Sequence, residues 1–138
     1  MKTGIIYYSY TQNTKKWAEN KAREIQADLI EIHTQKHRST LNAYVCGSLA
    51  SRRRKSEKIE PLTTDLSIYD KLIVAVPIWA DFPAAPFNSI VSLLPRGKEV
   101  ELVMVSGSGN SKASAEGSRS LIENAGCTVS GYTDIKMK

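Results

Sequence analysis

The chain has 138 residues, 41% of them hydrophobic and 24% charged, with a formal net charge of +5. That length and balance fit one soluble globular domain over residues 1–138 and exclude a disordered chain. The longest apolar run, residues 72–80, is about half of the ~20 residues a bilayer span requires and contains Pro77, so no membrane insertion is expected.

Met1-Lys2 leads directly into a strand-like run without a small-residue cleavage site, so no signal peptide is expected. Cys46 and Cys127 lie far apart and form no metal or redox spacing. Two free thiols suit a reducing, cytoplasmic compartment.

In chain order, Gly4–Tyr8 is a short apolar and aromatic run that predicts a buried strand. From Thr14 to Ala27 the pattern turns helical, with Trp17, Ala18, Ala22 and Ile25 on one stripe. Asp28–Ile32 predicts a second strand. Residues 33–64 are the least regular, with a helix expected over Leu41–Lys55 and a loop containing Pro61. Lys71–Val76 is the strongest strand, continuously apolar after its first residue, and Pro77 is expected to stop it. A helix follows from Pro86 through Ile90, Val91 and Leu94, then a strand over Glu99–Ser106. Ser111–Asn124 predicts a helix ended by Gly126, and Cys127–Ile135 a final strand.

Five strands alternating with helices imply an α/β fold, a parallel sheet with helices on both faces. In such sheets a ligand sits beyond the carboxyl ends of the strands, so function is sought after strands one, three and four. After strand one, Ser9-Tyr10-Thr11-Gln12-Asn13-Thr14 opens a helix. Hydroxyl and amide side chains beside unsatisfied helix N–H groups suit an anion, above all phosphate. Asn13 or Thr14 also fits a simple N-cap.

Tyr8–Thr14 closely resembles the flavodoxin phosphate loop, S/T-x-T-G-x-T. Pro77-Ile78-Trp79-Ala80-Asp81-Phe82-Pro83-Ala84-Ala85-Pro86 is similar to that family's P-x-W-x-x-x-P-A-x-P stretch. Ser106-Gly107-Ser108-Gly109-Asn110 resembles its small, Gly-rich turn after strand four, and Tyr44-Val45-Cys46-Gly47 its Y-x-x-G. The resemblance spans Ile5 to Gly126. It implies a three-layer, doubly wound, parallel five-stranded sheet of order 2-1-3-4-5, and FMN as cofactor. By position, Ser9, Thr11, Gln12, Asn13 and Thr14 would hold the FMN phosphate. Pro77, Ile78, Trp79 and Ala80 would border the ribityl chain and ring, and Ser106, Gly107 and Gly109 would close the pyrimidine side. The backbone of Ile78–Ala80 would tune the flavin near N5. Trp79 offers a flat surface for stacking and fits a core tryptophan as well.

The family carries Gly where this chain carries Gln12. If that position needs a positive φ, Gln costs ~1–2 kcal/mol and weakens FMN binding. The family's electron carriers are acidic, whereas this chain is basic, with Arg52, Arg53, Arg54, Lys55 and Lys58 clustered. Such a run is either a solvated face or a docking site for an acidic protein such as a redox partner, a nucleotide phosphate or nucleic acid. Without interleaved aromatics or a known motif, no nucleic acid is expected.

Two competing sites are weak. Cys46 and Arg52 have the spacing of a Cys-x5-Arg phosphatase loop but lack a preceding strand. His33 and His37 have helical ligand spacing without a partnering carboxylate motif, so no metal is expected. Asp81 is the single acid of the ligand loops and fits a turn cap better than a flavin role. The expected function is redox, through an FMN that carries the electrons at its own ring. The alternatives are an FMN-dependent reductase of quinones or nitro compounds fed by NAD(P)H, and a non-catalytic module that has lost FMN.

Overall fold

The runs at 72–76 and 102–105 show no polar alternation, so each must be covered on two faces. The computed structural model describes residues 2–8, 12–33, 59–60, 62, 64–79, 82–83, 86–107 and 109–136, with backbone alone at 79 and 82. In chain order these form β1 (Thr3–Tyr7), α1 (Asn13–Ile25), β2 (Asp28–Glu31), a 3-10 turn (Leu66–Ile68), β3 (Lys71–Trp79) and β4 (Phe82–Pro83). α2 (Pro86–Leu93), β5 (Glu99–Ser106), α3 (Lys112–Asn124) and β6 (Thr128–Lys136) follow. The helix expected over Leu41–Lys55 lies outside the described residues.

The sheet order is β2-β1-β3-β5-β6, with β4 folded back antiparallel on β3. The long strands are all parallel, and counted alone they run 2-1-3-4-5. Alternate residues separate the core into two clusters. Ile6, Leu72, Val74, Val76, Leu102 and Met104 face Phe87 and Ile90 of α2 and Ile122 of α3. Ile5, Tyr7, Ile73, Ala75, Val103 and Val105 face Ala18 and Ala22 of α1. Helices on opposite faces of a parallel sheet make this a three-layer, doubly wound α/β fold.

Small residues let two helices approach the sheet closely. α1 buries Thr14, Ala18 and Ala22, and α3 buries Ser114, Ser118 and Ile122. The α3 serines satisfy their hydroxyls on their own helix, Ser118 Oγ donating to the Ser114 carbonyl at 3.0 Å. Ile25, expected on the inner stripe of α1, is 39% exposed. Thr14, one turn before Ala18, is buried on that stripe, whereas Ile25 is the last residue of the helix and stays exposed.

Pro77 does not stop β3. The strand passes through it to Trp79, with Pro77 opposite Val105 of β5. Pairing of β3 with β1 ends at Tyr7↔Ala75, so the missing proline N–H falls where that ladder is already finished. β6 carries a register shift against β5 between Val100 and Glu101, which leaves Ser130 as an extra residue.

At the amino edge of the sheet, Tyr69 is 2% exposed and packs over Gly4. A Cβ on Gly4 would lie 3.1 Å from three atoms of that ring. The Tyr69 hydroxyl donates to Asp28 Oδ2 at 3.0 Å, and the Lys2 ammonium sits 5.6 Å from the ring centroid. Gly4→Ala should therefore destabilise the chain by ~1–3 kcal/mol by overpacking, read as a lower urea midpoint. Burial, then the bond to Asp28, pushes the Tyr69 phenol from 10.0 up to about 12. Because the folded value lies above the unfolded one, this contribution is whole below pH 10.0 and is lost as pH rises through about 12. Stability should fall across that window, and less steeply in Tyr69→Phe, when unfolding midpoints are followed against pH.

Candidate functional site

The strand order reverses between β1 and β3: the chain runs outward from β1 to β2 on one side, and from β3 to β5 on the other. A crevice opens at the carboxyl ends of strands at such a switch point. The described residues expected to form a site all lie along this edge. Gln12, Asn13 and Thr14 follow β1, Pro77, Ile78 and Trp79 end β3, and Ser106, Gly107 and Gly109 end β5 and begin its turn. Ser9, Thr11 and Ala80 lie outside the described residues, as do Asp81, His37, Cys46 and Arg52–Lys55.

Gln12 is the N-cap of α1, with φ 72 and ψ −6. Asn13 and Thr14, the expected caps, are the first two residues of the helix instead, because the left-handed turn at Gln12 brings the chain into helical geometry earlier. The Gln12 carbonyl accepts from the Lys16 N–H at 3.0 Å. The amides of Thr14 and Lys15 therefore have no helix carbonyl to donate to, and the Gln12 side chain makes no cap hydrogen bond. The first turn holds no acid. The positive end of such a helix is suited to an anion.

Beside it, Glu31 at the end of β2 gathers donors that the sequence did not announce. The Tyr7 hydroxyl donates to Glu31 Oε1 at 3.3 Å, and Lys15 Nζ and His33 Nε2 stand 3.9 and 3.8 Å from the same oxygen. Burial, then the Glu31 charge, pushes the Tyr7 phenol up to about 12. Among the described residues no group of His, Cys, Asp and Glu is arranged to hold a metal. Cys127 is a buried free thiol whose Sγ donates to the Pro95 carbonyl at 3.1 Å.

The end of β3 is a hairpin rather than an open turn. Ile78 pairs with Pro83 and Trp79 with Phe82, and β4 touches α3. Ladder bonds thus fix the backbone at Ile78 and Trp79, which a free loop would leave unfixed.

After β5, buried Ser106 accepts the Gly109 N–H on its Oγ at 3.0 Å. Gly109 has φ 72, and a Cβ there would lie 2.8 Å from Lys136 Cβ, so only glycine fits. A Cβ on Gly107 would meet none of the described residues within 4 Å. Asn110 Oδ1 accepts the Lys112 N–H at 2.8 Å. Ser111, 1% exposed, lies 2.5 Å from both Asp134 Oδ1 and the Tyr132 hydroxyl. A carboxylate only accepts, so Ser111 donates to Asp134 and the Tyr132 hydroxyl donates to Ser111. Sequence reasoning missed this trio, since a serine before a helix reads as a cap and strand residues carry no mark of what they meet.

No family model matches the chain, and no curated protein does. Solved structures do. A Lactobacillus acidophilus flavoprotein in complex with FMN is 23% identical with a TM-score of 0.76, covering 95% of this chain and 91% of its own. A protein from Bacteroides eggerthii assigned to the flavoproteins is 19% identical with a TM-score of 0.84, covering 96% and 86%. An NADH:FMN oxidoreductase in its apo form is 19% identical with a TM-score of 0.56, covering 96% and 72%. At these identities the likeness is one of fold: the chain has the flavodoxin-like fold. No helix among the described residues is long and apolar enough to cross a membrane.

An L-residue at φ 72 costs ~1–2 kcal/mol, partly offset by the greater unfolded freedom of glycine. Gln12→Gly should therefore raise stability by ~0.5–1 kcal/mol, and Gln12→Val should lower it. Thermal unfolding of the three chains checks this, and equal midpoints would contradict the strained cap.

Proposed function

We propose that the chain binds FMN along the carboxyl ends of β1, β3 and β5 and works as a redox protein. The observation that carries this reading is the start of α1: a helix end whose N-cap side chain makes no cap hydrogen bond and whose first turn holds no acid, entered through a left-handed residue, at the switch point of the sheet. The donor set fits a phosphate monoester. The Thr14 and Lys15 amides point ahead of the helix, and Ser9, Thr11 and Thr14 match the family's phosphate loop, with Asn13 at its variable position. Among the described residues the space at Gly107 is open, which fits a turn that a ring must approach closely.

FMN, when bound, supplies electron or hydride transfer at its own ring. The protein's part is to hold the phosphate, to fix the ring between the hairpin backbone at Ile78–Trp79 and the turn at Ser106, Gly107 and Gly109, and to keep water from it. The reading requires no side chain as acid or base. An acidic redox protein docking on Arg52, Arg53, Arg54 and Lys55 fits the +5 net charge. The likeness to an NADH:FMN oxidoreductase supports a second reading, a reductase that draws hydride from NAD(P)H.

Titration of the apoprotein with FMN, followed by photoreduction, tests both. FMN should be taken up, and Thr11→Ala with Thr14→Ala should weaken it at least about tenfold, since hydrogen bonds to charged groups are worth ~1.5–3 kcal/mol each. Rapid oxidation of NADH or NADPH with quinone acceptors would favour the reductase over the carrier. No uptake at high micromolar FMN would overturn the flavin reading and leave a binding module.

A further inference from the structure

Between β5 and α3 the hydrogen bonds are spent in an unexpected way. Ser111 stands at the N-cap of α3, where a serine ordinarily accepts an amide of the first turn. Its side chain makes no such bond. Asn110 Oδ1 takes the Lys112 amide instead, and the Ser111 hydroxyl turns inward to Asp134 and Tyr132 at 2.5 Å each. A serine 1% exposed that gives up its helix and ties itself to a neighbouring strand fixes the position of the chain that leads into it.

The strand in question offers more than one point of support. Tyr132, Asp134 and Lys136 alternate along β6, opposite Leu102, Met104 and Ser106 of β5. Leu102, Met104 and Tyr132 belong to the core beneath α2 and α3, which places the row on that face. Tyr132 and Asp134 hold Ser111. Lys136 lies under Gly109, at van der Waals distance only because that residue has no Cβ. From the near side, Ser106 Oγ holds the Gly109 amide at 3.0 Å. The guanidinium of Arg119 on α3 lies 5.3 Å from the centre of the Tyr132 ring.

We infer that β6 is a positioning platform for the ring-side turn: Asp134 and Tyr132, acting through Ser111, and Lys136, through Gly109, hold the backbone of Ser106, Gly107 and Gly109 in the shape that receives the isoalloxazine. None of the three platform residues needs to touch the flavin. The inference rests on the FMN reading and adds to it a separation of labour, with ring affinity set from β6 and phosphate affinity from α1.

That separation is measurable with three probes on the whole chain: FMN, riboflavin, which lacks the phosphate, and inorganic phosphate competing with FMN. Ser111→Ala and Asp134→Ala should each weaken riboflavin and FMN by the same factor, about tenfold, and leave the inhibition constant of phosphate unchanged. Asp134→Asn keeps an oxygen acceptor and should recover riboflavin affinity to within about threefold of the starting chain. Riboflavin affinity unmoved by Ser111→Ala and Asp134→Ala overturns the inference. So does a parallel loss of phosphate affinity, which would mean general loosening. If the unaltered chain takes up no FMN, the flavin reading itself fails, and the platform falls with it.

Discussion

The carboxyl edge of this molecule depends on β3 being buried on both faces. Leu72–Val76 are at most 1% exposed, and the strand hydrogen-bonds to β1 on one side and β5 on the other. Burying one Leu, Ile or Val side chain is worth ~1.5–3 kcal/mol, so the four of this run make any other placement of the strand very costly. Once β3 is central, α1 must cover one face and α2 and α3 the other. Parallel pairing then sends the connections after β1, β3 and β5 to the same edge. The candidate site follows from that geometry before any of its own residues is considered.

At the opposite edge the strands are aligned by charge. Lys71, the first residue of β3, stands 3.6 Å from Glu99 and 3.1 Å from Glu101 of β5. The bond to Glu101 raises the Lys71 pKa, against the pull of burial. Ion pairs that are partly exposed add little stability, ~0–1 kcal/mol each. They do bear on register, because a slip of one residue would turn Lys71 toward the other face, away from both carboxylates.

Most strands and helices were legible because their signals are local and repeated: apolar runs for β1, β3 and β5, and spaced apolar residues for α1 and α2. Gly126, with φ 91, ends α3 as its sequence position implied. The errors lie where a distant neighbour decides. Pro77 stays in a strand because β1 has already ended beside it, and Ile25 is exposed at the very end of α1 although its spacing puts it on the inner stripe. The Gly4–Tyr69 contact joins residues 65 positions apart, which no window along the chain can register. In the candidate site, the three loops were legible as motifs, and Gln12 stood out as the departure that would matter. Ser111, Tyr132 and Asp134 did not, since their meaning lies in a pairing between β5 and β6.

Ser130 acts on β6 as a phase shifter. Val129 and Tyr132 both pack toward the core beneath α2 and α3, although three positions separate them and strict alternation would turn them to opposite faces. The inserted residue absorbs the mismatch, and Ser130 Oγ steadies it by donating to the Val100 carbonyl at 3.4 Å. Everything beyond it is rotated by half a period. The aromatic, the acid and the base of the second half of β6 therefore look toward the turn, while Ile135 looks toward Val103 and Val105. A one-residue insertion thus does at the edge of the sheet what several substitutions would otherwise have to do. It gives a single strand two different hydrophobic codes, one on each side of a serine.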